Sequence, residues 1–189
     1  KWGAREARVF EGRRYSFAEV DREVDRAARA LMAAGVGAGE HVALWLNNRA
    51  DWVFIAYAVM KIGAVLVPVN TRFRTHDLDY VLRQSDSVML ITHDVSGPID
   101  YLAMVREVVR LPDDGGRISD PNFPELRNVV ILGEDGHPGV IDWQEALVSG
   151  GGVPVADVEG RAAAVRPDDP ALIMYLSLIH ISEPTRPTP

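Results

Sequence analysis

Three short runs, "HVALWL" (His41 to Leu46), "AVLVPV" (Ala64 to Val69) and "VMLITH" (Val88 to His93), are apolar at consecutive positions rather than at every second one. A strand of that kind must be covered on both faces, which an antiparallel sheet with one wet side does not do and a parallel sheet sandwiched between helices does. The spacers agree. "NRADWVFIAYAVMKIG" has helical spacing and a glycine stop at Gly63, and "THDLDYVLRQSD" reads as a helix opened by Thr75. One helix between each pair of strands predicts an α/β fold: a doubly wound, mostly parallel sheet flanked by helices, with the three runs as neighbouring central strands.

The rest of the chain fits around this frame. "ARVFEGRRYSF" carries two β-prone runs about Glu11 and Gly12, a hairpin signal. Ser16 stands three residues before Glu19, a capping box, and Val20, Val24, Ala27, Ala28 and Leu31 follow at helical spacing up to Gly35, so residues 17–34 are predicted helical. Beyond Gly97, "PIDYLAMVREVVRL" reads as a helix, "PDDGGRISDPNFPEL" as a loop, "NVVILG" as a further strand and "IDWQEALVSGGG" as a short helix. Residues 150–170 read as a surface linker, and "ALIMY" (Ala171 to Tyr175), after the breaker "RPDDP", as a buried strand.

Composition narrows the function classes. The 189 residues suffice for one domain with a sizeable core, and a formal charge of −7 with no run of Lys or Arg opposes nucleic acid and anionic membranes as partners. The absence of cysteine excludes disulfides, thiolate nucleophiles and Cys-ligated zinc. No apolar stretch reaches membrane-spanning length and "KWGAREARVF" has no signal-peptide core, so a cytoplasmic protein is expected.

Residue clusters by themselves name no reaction. The five histidines (His41, His76, His93, His137, His180) are scattered without ligand spacing, which predicts loop or solvent positions and no metal site. "GVGAGE" follows a helix and precedes a strand, the reverse of a dinucleotide fingerprint, and reads as helix stop and turn. "DREVDR" interleaves acids and arginines as surface pairs do, and Trp45, Trp52, Tyr57 and Trp143 lie in or beside apolar runs that predict core packing.

Segment order is more informative. "RRYSFAEVDREVDRAARALMAAGVGAGEHVALWLNNRADWVFIAYAVMKIGAVLVPVN", continuing through "TRFRTHDLDYVLRQSDSVMLI", resembles the N-terminal region of the adenylate-forming (AMP-binding) superfamily, particularly bacterial fatty-acyl-CoA synthetases. The likeness is close from Arg13 to Ile91, loose through the middle, and returns at "VRPDDPALIMY". It implies ATP-dependent activation of a carboxylic acid, a fatty acid by the resemblance, as an acyl-adenylate. Transfer to coenzyme A would follow, with magnesium and positioned donors stabilising the anionic transition states. A basic residue after the strand matching "AVLVPVN" can approach the phosphates of coenzyme A in such enzymes; Arg72 and Arg74 occupy that place, and as two arginines before a helix they also read as solvated.

The resemblance also implies what should follow "ALIMY": a phosphate loop of the form T-S-G-T-T-G-x-P-K-G, whose backbone N–H groups and lysine hold ATP. Tyr175 is followed instead by "LSLIHISEPTR", with neither glycine nor lysine, which is what one reading of a transposase-type sequencing adapter translates to. The expectation is an incomplete N-terminal part of the synthetase large domain over residues 1–175, a foreign tail over 176–189, and a chain that binds neither ATP nor its other cofactors well and is inactive. Two alternatives stay open: a fragment of an aryl-acid ligase or peptide-synthetase adenylation domain, and a stand-alone, non-catalytic doubly wound module with a native tail. Deleting Leu176 to Pro189 is expected to leave the melting temperature nearly unchanged, because a foreign segment has no fitted pocket; a drop worth several kcal/mol would mark a native closing strand.

Overall fold

The computed structural model describes residues 2–113, 116–133 and 136–175. Its elements, in chain order, are β1 (Glu6–Phe10), β2 (Arg13–Ser16), α1 (Phe17–Ala33), β3 (His41–Trp45), α2 (Ala50–Lys61), β4 (Val65–Pro68), α3 (Thr75–Ser85) and β5 (Ser87–His93). There follow β6 (Val95–Ser96), β7 (Ile99–Asp100), α4 (Tyr101–Val108), β8 (Asn128–Leu132), β9 (Ile141–Asp142), α5 (Trp143–Gly150) and α6 (Val155–Ala164). The main sheet runs in the order β4-β3-β5-β8-β9, and every pairing in it is parallel. The three apolar runs are neighbours as predicted, with β3 between the other two.

Alternate side chains of these strands enter two cores. Val42, Leu44, Met89, Ile91 and Val130 face α1, α2, α5 and α6, whereas Ala43, Trp45, Val67, Leu90 and Ile131 face α3, α4 and the segment from Ile118 to Leu126. Each fully buried leucine or isoleucine here contributes about 1.5–3 kcal/mol, which is why both faces are apolar. Helix α1 reaches the sheet together with α5, and the crossing is close: a Cβ on Gly150 would stand 2.6 Å from the backbone nitrogen of Ala30. Glycine is required there by contact, not by dihedral angle.

Local signals explain the entry to the domain. β1 and β2 pair antiparallel through a tight turn with Glu11 at φ 47° and Gly12 at φ 79°, both in the left-handed region that a two-residue hairpin of this twist demands. The capping box forms: the Ser16 hydroxyl accepts from the Glu19 N–H at 3.3 Å, and the Glu19 carboxylate accepts from the Ser16 N–H at 2.7 Å. The Ser16 N–H, and then the Ser16 hydroxyl at 2.8 Å, donate to the Glu19 carboxylate and hold it below its ordinary range. "GVGAGE" is the expected stop and turn, with Gly35 and Gly39 at positive φ. Its Glu40 accepts from the Gly37 N–H at 2.6 Å and pairs with Arg127, which leads into β8, so the turn is tied to the far side of the sheet.

Four expectations are corrected. Residues 155–164 form helix α6 inside the predicted linker. Only Val158 is buried there, too weak a pattern to read, but Arg161 donates to the carbonyls of Ile62 and Val36 at 3.2 Å each, satisfying orphan acceptors where α2 ends and where the chain turns after α1. "ALIMY" is not a buried strand: one parallel bridge joins Leu172 to Leu66, and Leu172 and Met174 stay 45% and 57% exposed, because no element covers that edge of β4 among the described residues. Tyr57 is exposed on the outer side of α2, although Trp45 and Trp143 are core and Trp52 is half-buried. Finally, α4 begins at Tyr101 rather than Pro98, since Val95–Ser96 and Ile99–Asp100 pair as a small hairpin and Asp100 caps the helix by accepting from the Ala103 N–H at 2.7 Å. The tail from Leu176 lies outside the described residues.

Burial ranks two substitutions. Leu44→Ala, at 0% exposure in the central strand, is expected to cost about 3 kcal/mol in chemical denaturation. Leu172→Ala, on the uncovered edge, is expected to cost less than about 0.5 kcal/mol, and equal losses at both positions would contradict the exposed edge. Charge gives a second outcome. Arg127 lowers the Glu40 carboxyl below its ordinary value of 4.5, so the pair stabilises the fold above that pH and loses its effect as pH falls through the depressed folded value. Glu40→Gln is therefore expected to cost about 1 kcal/mol at pH 7 and progressively less below pH 4.5.

Candidate functional site

In a parallel sheet every strand delivers its following loop to the same edge, and ligands bind outside those carboxyl ends. Here that edge collects the polar residues that follow each apolar run: Asn47 to Asp51 after β3, Asn70 to Arg74 after β4, His93 to Ser96 after β5, and Asp142 at the end of β9. A cleft of about 640 Å³ is lined by Arg49, His93, Asp94, Ser96, Asp142 and Gln144, and a second of about 480 Å³ shares Arg49, His93 and Ser96 with it. A Cβ on Gly133 would collide with the Asp94 carboxylate, so the bare backbone at the end of β8 is what lets Asp94 sit in the wall.

His93 lines both clefts and overturns the expectation of a loop or solvent histidine: it is 6% exposed. Burial, and then the nearby Arg49 guanidinium, depress its pKa, so the neutral imidazole is the favoured form. Its Nε2 is buried with no hydrogen-bond partner among the described residues. His137 lies 3.5 Å from Asp94, and His41 meets the Ser85 carbonyl at 2.5 Å. Among the described residues no group of three or more His, Cys, Asp or Glu could hold a metal ion.

A chain of hydrogen bonds ties the loops of this edge together. The Trp45 indole N–H donates to the Asn70 carbonyl at 3.0 Å, and the Tyr101 hydroxyl lies 3.4 Å from both the Asn47 side chain and the Thr71 carbonyl. Asn47 in turn donates to the Ser96 hydroxyl at 2.5 Å. Trp45 and Tyr101 are fully buried and pack edge to face, ring centroids 4.7 Å apart.

The two sequence candidates stand on the loop so held. Arg74 is exposed, and one of its guanidinium nitrogens folds back to donate to the carbonyls of Phe73 at 2.8 Å and Arg72 at 3.0 Å, while its backbone N–H donates to Asp77 at 3.1 Å. It is the residue before α3, which Thr75 opens as the sequence predicts. Arg72 is exposed, and its backbone N–H donates to the Asn70 side chain at 2.9 Å. Neither arginine reaches the His93 clefts as a lining residue. Sequence reasoning passed over Asn47, Arg49, His93 and Asp94; their signal was polar residues immediately after an apolar run, at a strand's carboxyl end.

A larger groove of about 890 Å³ lies elsewhere, against α1 and α2, lined by Phe17, Val20, Val24, Tyr57 and Met60. Lys61 there pairs with Asp25 at 2.6 Å and with Asp21 at 3.2 Å, whereas Arg8, also in the lining, donates from one guanidinium nitrogen to the Arg49 carbonyl at 3.0 Å and keeps another buried with no hydrogen-bond partner among the described residues. The Lys61 pairing also revises "DREVDR": Arg26 and Glu23 pair along α1 at 2.9 Å, while the two aspartates reach across to α2.

Known proteins share this architecture. YngI of Bacillus subtilis, assigned as an acyl-CoA synthetase, is 32% identical over 92% of this chain and 32% of its own length. A CoA ligase of Rhodococcus jostii, for a propanoyl group bearing a methyl-dioxo-octahydroindene, is 32% identical over 87% of this chain and 30% of its own. Apo MbtA of Mycobacterium smegmatis superposes with a TM-score of 0.69 at 26% identity, over 92% of this chain and 28% of that one. The chain thus spans about a third of the length of the curated relatives it matches. The family model of the AMP-binding enzymes matches residues 1–177, through every strand of the parallel sheet and the loops at its carboxyl edge, and the chain belongs to that adenylate-forming family.

Proposed function

We propose that residues 1–175 are the opening part of the adenylate-forming domain of an AMP-forming acyl-CoA synthetase, and that Leu176 to Pro189 are a foreign tail. The observation that carries this reading is the family match over residues 1–177, which stops within two residues of Tyr175, together with relatives named as acyl-CoA synthetase and CoA ligase. In the parent reaction a carboxylate oxygen of the substrate, a fatty acid in this reading, attacks the α-phosphorus of ATP. The bond to pyrophosphate breaks and an acyl-adenylate remains. The sulfur of coenzyme A then attacks the acyl carbon and AMP leaves with the bonding electrons. Both steps gather negative charge around phosphorus or the acyl oxygen and depend on positioned donors.

This chain supplies the scaffold for that chemistry, not its reacting groups. "ALIMY" is followed by a segment with no glycine or lysine, so the glycine-rich turn and the ammonium group that the resemblance calls for do not follow it. The described residues present no set of ligands for magnesium, so no step is assigned to the ion through them. Arg72 and Arg74 are proposed to face the phosphates of coenzyme A. A cytoplasmic parent is part of this proposal; among the described residues no helix is long and apolar enough to cross a membrane.

The purified chain is expected to show no carboxylate-dependent exchange of labelled pyrophosphate into ATP. The parent, recovered by reading its gene onward from the codon for Tyr175, is expected to show that exchange and to carry a glycine-rich, lysine-containing loop at that point. Exchange by this chain alone, or a parent that continues with the present tail, would overturn the assignment.

A further inference from the structure

The groove of about 890 Å³ against α1 and α2 combines bare apolar walls with one unbalanced charge. Phe17, Tyr57 and Val165 in its lining are 50%, 56% and 38% exposed, and Val20, Val53 and Met60, also in the lining, are half-buried. Large apolar side chains left open to water over a concave surface have the composition of a ligand site, and the volume falls in the range of about 300–1,000 Å³ that such sites occupy. The charge is that of Arg8. Lys61 is neutralised by Asp25 and Asp21, and Asp51 in the first turn of α2 is held by Arg49 at 2.7 Å. Arg8 pairs with no carboxylate among the described residues: its guanidinium donates from Nη2 to the Arg49 carbonyl at 3.0 Å, and its Nη1 is buried without a partner. The Phe10 ring, 5.7 Å from Arg8 Cζ, offers a weak cation–π attraction in place of an acceptor. Arg49 is moreover the residue before α2 and gives that helix no side-chain cap, so Arg8 stands at the positive end of a helix dipole. A half-buried cation placed there, with a donor unmade, is stabilised by an incoming anion.

We propose that this groove is a binding site for an amphipathic monocarboxylate, with the apolar chain against Val20, Val53 and Met60 and the head group on Arg8. The site lies on the α1/α2 face and shares no lining residue with the two clefts at the carboxyl edge, so the inference goes beyond the proposed reaction and assigns the ligand no chemical step. The head group follows from charge. A cationic head is repelled by Arg8, a hydroxyl supplies an acceptor without charge, and a carboxylate supplies both to the N–H fork of a guanidinium. One carboxylate is also the limit: Asp21 stands in the same lining with its side chain 70% exposed and repels a ligand of higher negative charge. The chain follows from the walls, whose apolar side chains reward methylene groups and leave further polar groups unpaired.

Titration of the 189-residue chain with dodecanoate below its micelle concentration, followed by NMR shifts, tests the assignment. Saturable shifts are expected at Val20, Val53 and Met60, with affinity rising about 2- to 4-fold for each methylene added between octanoate and dodecanoate, as partial to full burial of the chain requires. Dodecanol is expected to bind about 10-fold more weakly. Arg8→Gln is expected to bring dodecanoate down to about that level and to leave dodecanol unchanged, because charge pairing alone is lost. Tyr57→Asp, at an exposed position outside the core, is expected to weaken both ligands by placing a charge in the apolar wall. If Arg8→Gln does not fold, the ratio of dodecanoate to dodecanol affinity on the unmodified chain decides the role of the charge. Equal affinity for the two, or unchanged dodecanoate affinity in a folded Arg8→Gln, overturns the head-group assignment. Shifts that gather at His93 and Ser96 instead, or dodecanoate affinity that ignores Tyr57→Asp, overturn the location. The absence of saturable binding overturns the site, as do groove shifts that follow protein concentration without ligand, which would seat a second copy of the chain there.

Discussion

Parallel pairing on both sides of β3 is the constraint on which the rest of this structure depends. A strand bonded to β4 on one side and β5 on the other has no free edge, and its side chains alternate between two cores that must both be dry. Parallel neighbours cannot be joined by a tight turn, so the chain must cross over each time, and the crossovers are the helices that cover the faces. The same condition gathers all carboxyl ends on one edge. Core, connectivity and the location of polar loops thus follow from a single arrangement of backbone hydrogen bonds.

At that edge the cost of burying a polar group organises the surface. The Trp45 ring fills the α3/α4 side of the core, and its N–H would be left unsatisfied there; the Asn70 carbonyl relieves it. Tyr101 shares the core and sends its hydroxyl to the same loop and to Asn47, which continues to Ser96. Three exits, from β3, β4 and β5, are joined through side chains whose apolar bodies belong to the core. His93 is the contrasting case: buried, favoured as the neutral form and without a partner at Nε2 among the described residues, it lines two clefts rather than linking two loops.

Most of the architecture was legible because its signals are local or periodic. The Glu11–Gly12 turn, the Ser16–Glu19 box and the apolar runs of β3, β4, β5 and β8 each depend on residues close in sequence, and each forms where the sequence placed it. Helix α6 was not legible: a single buried valine gives no period, and what holds the helix is Arg161 reaching carbonyls about a hundred residues away. "ALIMY" misled for the opposite reason, because an apolar run states that it needs cover without stating that cover is present. Of the site, Arg72 and Arg74 came from resemblance, whereas His93, Arg49 and Asp94 gave no spacing by which to find them.

The sequence by itself determined the layer structure, the direction of the strands and the family, since hydrophobic period, crossover length and segment order are properties of the chain read in one dimension. Tertiary structure alone decided which arginine of the pair bonds back to its own loop, which histidine is buried, and which edge of the sheet lies open. Those outcomes are set by contacts between residues far apart in sequence, such as Trp45 with Asn70 and Arg161 with Val36, whose partners are fixed only once helices have packed against both faces of the sheet.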